Sequence, residues 1–142
     1  MIQHEVNIHL NSPVEKVFAF LADAKNLRTW QAGLVENEQL TEGPIRVGTR
    51  FREVRRTGPR QSEILAEITA FETNKRFTTK TIKGPQATVS YAFDAENGGT
   101  RLTYKFTLQT SGIMILLKPL IAGSIKKDTE SDFQKLKNIL ES

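Results

Sequence analysis

The chain has 142 residues, 20 basic and 16 acidic side chains for a formal charge of +4, and no cysteine. That length can bury a core without staples, and the missing thiols exclude a disulfide framework, a thiolate zinc site and a cysteine nucleophile. The basic excess is mild and scattered; its densest cluster, Arg50, Arg52, Arg55, Arg56 and Arg60, has no interleaved aromatic residues, so nucleic-acid binding is not expected.

From Ile2 to Leu10, apolar Ile2, Val6, Ile8 and Leu10 alternate with Gln3, Glu5, Asn7 and His9, which predicts a half-buried strand with His4 out of order on its apolar face. This start has no basic n-region or long apolar run and is not read as a signal peptide. Ser12 is placed to N-cap a helix, with Pro13 at its first position and Glu15 completing a capping box. Val14, Val17, Phe18 and Leu21 then repeat at helical spacing, and Asp23 to Trp30 reads as a break followed by a short second helix.

Strand-like runs follow at Leu34 to Leu40, Thr49 to Arg56, Glu63 to Phe71 and Arg76 to Ile82, separated by Glu42-Gly43-Pro44, by Thr57-Gly58-Pro59 and by a turn at Asn74. Arg50, Arg52 and Arg56 share one face of their strand, read as a solvated sheet surface. In the third run Ile64, Ala66, Ile68 and Ala70 share a face. Beyond Lys83-Gly84-Pro85, Val89, Tyr91 and Phe93 share another, and Asn97-Gly98-Gly99 signals a hairpin into Leu102, Tyr104, Phe106 and Leu108. After Ser111-Gly112 a helix runs nearly to the end, with Phe133, Leu136 and Leu140 in its stripe and Pro119 bending it or starting a new segment. Short turns between strands predict an antiparallel meander. The apolar run Ile113 to Ile125 is broken by Lys118 and Pro119 and falls short of the roughly 20 residues a span needs, so a soluble, cytoplasmic chain without an integral membrane segment is expected.

This order resembles the helix-grip (START/Bet v 1-like) architecture of the START-like, or SRPBCC, superfamily, and specifically its polyketide cyclase/dehydrase branch. The resemblance rests on Ile8-His9-Leu10-Asn11-Ser12-Pro13-Val14-Glu15-Lys16-Val17-Phe18 with Asp23 and Trp30, on Val47-Gly48-Thr49-Arg50-Phe51, on Tyr91-Ala92-Phe93-Asp94, on Gly99-Thr100-Arg101-Leu102-Thr103 and on the closing Leu136-Lys137-Asn138-Ile139-Leu140-Glu141. It implies one α+β domain over residues 1–142, in which a curved antiparallel sheet of about seven strands wraps a long C-terminal helix, with two short helices after the first strand. It also implies an internal cavity that takes apolar or amphipathic molecules.

Strand parity assigns His4, Val6, Phe51, Phe77, Val89 and Tyr91 to the inward face, with Phe93, Tyr104 and Phe106. Ile113, Leu116, Leu117 and Leu120 are expected to close the cavity from the helix, and Trp30 to stand near its mouth. His4 is either a polar anchor or a satisfied core histidine, and His9, on the opposite face, is expected in solvent. Glu53 shares a face with Phe51 and either turns a carboxylate inward, fit for acid/base work, or pairs with Arg55 or another arginine. Tyr91 and Tyr104 either donate hydrogen bonds to a ligand or serve as core payload. Ile113-Met114-Ile115-Leu116-Leu117, apolar all round, is either a buried helix end or a mobile lid or contact patch.

The two histidines sit on opposite faces of one strand and the glycines lack phosphate-loop spacing, so no metal, nucleotide or other cofactor is expected. Binding of a hydrophobic or amphipathic small molecule, lipid-like, polyketide-like or aromatic, is the leading expectation. A cyclase/dehydratase-type enzyme using His4, Glu53 or a tyrosine is the alternative, and a co-chaperone-like interaction module the third. A homodimer is left open.

Overall fold

The alternating runs form seven strands: β1 (Ile2–Leu10), β2 (Leu34–Gln39), β3 (Arg50–Thr57), β4 (Arg60–Glu72), β5 (Arg76–Lys83), β6 (Ala87–Glu96) and β7 (Gly99–Leu108). The computed structural model describes residues 1–57 and 59–141, so the Gly58 of the expected Thr57-Gly58-Pro59 turn lies outside the described residues. The strands make one antiparallel sheet in the order β1-β7-β6-β5-β4-β3-β2. Helix α1 (Val14–Ala22), one 3-10 turn (Ala24–Asn26) and α2 (Leu27–Trp30) follow β1; α3 (Ile113–Leu116) and α4 (Lys118–Glu141) follow β7. This is the α+β helix-grip arrangement, and Pro119 begins a new segment, its ring tolerated in the first turn of α4.

One local expectation fails. No side chain caps α1, and the buried Ser12 hydroxyl has no partner. The Ser12 carbonyl instead accepts from Thr100 Oγ1 at 2.7 Å and its N–H donates to the Leu10 carbonyl at 2.8 Å, so the residue is committed to the β1–β7 end and the Pro13 carbonyl opens the helix. A second departure lies in β4, where the register shifts between Ile68 and Ala70. Phe71 rather than Ala70 therefore crosses to Phe77 and reaches the core.

The core gathers at one end of the sheet. Phe18 of α1 makes edge contacts with Phe71, Phe77 and Phe93, at centroid distances of 5.5, 5.9 and 5.1 Å. Phe133 of α4 lies between Trp30 and Tyr104, at 5.2 and 4.9 Å. Leu10, Leu102 and Leu136 complete it, with no exposed surface. The convex face carries charge: Arg52 Nε lies 2.9 Å from Glu63, and Arg50 Nε 3.4 Å from Glu67. His9, expected in solvent, is pinned there, Nδ1 3.3 Å from Glu96 and Nε2 3.0 Å from Asn11, because the β6–β7 hairpin brings Glu96 beside it.

Gly99 is required by proximity: a Cβ there would strike the carbonyl oxygen of Leu10, backbone that the β1–β7 ladder holds still. Gly99→Ala is expected to lose about 2 kcal/mol in urea unfolding. Gly123→Ala, within α4 with nothing inside 4 Å of the added carbon, is expected to gain about 0.5–1 kcal/mol.

Candidate functional site

The register lays the concave side chains out in rows. Ile68, Thr79, Val89, Phe106 and His4 cross the sheet in one row, and Phe71, Phe77, Tyr91, Tyr104 and Val6 in the next. Trp30, Phe77, Tyr91, Phe93 and Tyr104 are buried in the core. Trp30 is thus no gatepost at a mouth: the short α2 turns it inward onto Phe133. His4, Val6, Phe51, Glu53, Val89 and Phe106 are half-buried on the concave face, with Val6, Val89 and Phe106 packed against the edge of the core.

Helix α4 is anchored at its end. Its last turns are tied down by Phe133, Leu136 and Leu140, and by Glu141 Oε2, which accepts from the Asn11 N–H at 2.8 Å. In its first half no residue is fully buried, and Ile121, Ala122, Ile125 and Thr129 are half-buried. Ile113, Leu116, Leu117 and Leu120, expected to wall a cavity, are exposed; the backbone leaves β7 through Gly112, at φ 59° and ψ −132°, which presents these side chains to solvent. Two hollows, of about 270 and 180 Å³, lie on the convex face and are lined by polar residues such as Lys80 and Thr107, or His9 and Arg101. Neither lies on the concave face.

The polar groups gather at the β2–β3 side. Alternate positions of β3 place Phe51, Glu53 and Arg55 on the concave face, and Arg55 Nη2 lies 2.7 Å from Glu53 Oε1 and 2.8 Å from Gln31 Oε1. Glu53 is therefore both turned inward and paired. Asp132 of α4 accepts from the Ala32 N–H at 3.2 Å; burial raises its carboxyl above the usual range, opposed by that hydrogen bond and by Lys135. Burial also pushes Tyr91 well above the ordinary phenol range and Tyr104 to about 12, with Arg55 pulling both back. Near neutrality both phenols keep their protons, so they can donate hydrogen bonds but not serve as bases. His4 Nε2 and Trp30 Nε1 are buried without partners. Among the described residues His4 has no carboxylate beside it to make an acid/base pair.

Sequence reasoning offered Arg55 as one partner for Glu53, whose strand parity Arg55 shares, but missed Gln31 and Asp132, which carry no pattern of their own.

The model of the family described as polyketide cyclase / dehydrase and lipid transport matches residues 1–141. The chain belongs to this family. Among solved structures it is similar to TTHA0849 from Thermus thermophilus, at 18% identity and a TM-score of 0.83, covering 96% of this chain and 94% of that one. It is similar to Ara h 8.0201, at 15% identity and a TM-score of 0.72, covering 97% and 96%. It also resembles the di-domain ARO/CYC StfQ from the steffimycin biosynthetic pathway, at 12% identity and a TM-score of 0.77, covering 99% of this chain and 51% of that protein, about half its length. These likenesses establish the fold. No curated protein matches the sequence.

Two pH dependences follow. With the folded Asp132 carboxyl above its unfolded value, its contribution to stability falls as pH rises through the carboxylate range. Asp132→Asn, which keeps an acceptor for Ala32, should match the wild-type Tm near about pH 3 and exceed it near about pH 7. For the phenols, stability falls as pH rises from about 10 toward about 12, and Tyr104→Phe should flatten that alkaline slope in urea titrations.

Proposed function

We propose that this protein binds an apolar or amphipathic small molecule along the concave groove. The observation that carries the reading is a strip of half-buried apolar side chains on the concave face, Val6, Val89, Phe106 and Phe51. Removing such a strip from water is favourable at roughly 25 cal/mol per Å², which gives a greasy ligand its affinity. At one end of the strip Arg55, held by Glu53 and Gln31, offers a fixed positive fork to a carboxylate, enolate or carbonyl oxygen; at the other, the unpartnered His4 Nε2 offers a second polar contact. Membership in a family described for lipid transport as well as cyclisation agrees with that chemistry.

A second reading, a cyclase-type enzyme, is favoured by the same charged pair, since Arg55 can stabilise an enolate and Glu53 can move a proton. The readings separate in one set of variants. Long-chain fatty acids and aromatic polyketides should raise Tm and quench intrinsic fluorescence, and Phe106→Ala or Phe51→Ala should each weaken binding by about tenfold. If no member of the panel shifts Tm, ligand binding in the groove is wrong. If a polyketide is turned over and Glu53→Gln abolishes turnover while binding persists, the enzyme reading replaces the carrier.

A further inference from the structure

We propose that α3 and the first turns of α4 form a docking element for an anionic lipid bilayer surface. Ile113, Ile115, Leu116, Leu117 and Leu120 are 71, 58, 81, 42 and 74% exposed, an apolar patch that the fold itself does not use. Along the chain, the charge within the segment that carries the patch has one sign. No carboxylate occurs from Asn97 to Lys127, whereas Lys118 lies inside the patch and Lys126 and Lys127 follow it. All three lysines are exposed, and none is ion-paired among the described residues.

Those two properties together select the occupant. A second copy packed isologously would set lysine against lysine across the contact, with no acid in the segment to compensate. A bilayer with anionic headgroups takes both parts at once: apolar side chains enter the headgroup and acyl boundary, and lysines lie at the level of the phosphates, each contributing about 1 kcal/mol. The segment lies on the surface rather than crossing it, since among the described residues no helix is long and apolar enough to span. This inference is independent of what the groove binds: vesicle binding can hold with the groove empty, and ligand binding can hold without vesicles.

The test is co-sedimentation of the full chain with vesicles of phosphatidylcholine alone and of phosphatidylcholine with phosphatidylglycerol. Anionic vesicles should bind the protein about tenfold more tightly than neutral ones, with binding weakened by salt. The double variant Leu116→Glu, Leu120→Glu should lose about tenfold in partitioning at unchanged Tm. Leu116→Trp, which keeps the patch apolar, should show an emission blue shift on anionic vesicles. Absence of binding, binding indifferent to Leu116→Glu and Leu120→Glu, no blue shift, or a dimer in sedimentation that those substitutions dissolve would each overturn the proposal.

Discussion

Phe133, seated between Trp30 and Tyr104, is the contact on which the arrangement of helix and sheet depends. A helix is about 10–12 Å across, while seven strands spaced about 4.8 Å apart make a sheet about 29 Å wide. One helix therefore cannot cover the concave face. The chain resolves the mismatch by concentrating its large side chains: Phe133, Leu136 and Leu140 seal the end where α1 supplies Phe18, and the α4 turns before Thr129 offer only Ile121, Ala122 and Ile125. Where aromatic residues run out, the sheet stays partly wet.

That division sorts the chemistry of the concave face. Inside the seal, burial keeps Tyr91 and Tyr104 neutral and leaves Trp30 Nε1 without a partner. Outside it, the groove changes character across the strand order, from Phe106 and Val89 near β1 through Thr79 to Glu53 and Arg55 on β3. The Glu53–Arg55 pair is only partly desolvated, so it adds little stability by itself. Its worth lies in geometry: Glu53 and Gln31 fix the guanidinium, so less side-chain freedom is lost when a ligand oxygen meets it.

Much of the fold was legible because period-two alternation survives wherever one sheet face is wet. All seven strands, the two short helices and the break at Pro119 follow from such patterns, within a residue or a few at their ends. Features set by long-range partners were not legible. The capping box at Ser12 fails because Thr100, 88 residues away, takes its carbonyl. Ala70 and Phe71 exchange roles through a bulge that alternation cannot register. At the site, parity placed Phe51, Glu53, Val89 and Phe106 on the correct face, but it could not separate groove from core, because that depends on where α4 is held. Nor does helical spacing reveal that Gln31, just past the end of α2, bonds Arg55 or that Asp132 of α4 lies within its electrostatic reach, since each acts through the tertiary arrangement.

The same limit explains the apolar excess at the start of the C-terminal helices. Ile121 and Ile125, four residues apart, lie half-buried toward the sheet, while Leu116 and Leu120, also four apart, are exposed. A helix with one buried side needs one apolar stripe. This segment carries apolar residues on two sides, one half-buried and one exposed. Gly112 precedes α3, Pro119 lies in the first turn of α4, and Gly123 weakens the helix between Ile121 and Ile125. The first half of α4 is therefore the part of the helix least committed to the core, since its fully buried residues, Phe133, Leu136 and Leu140, all lie in the second half.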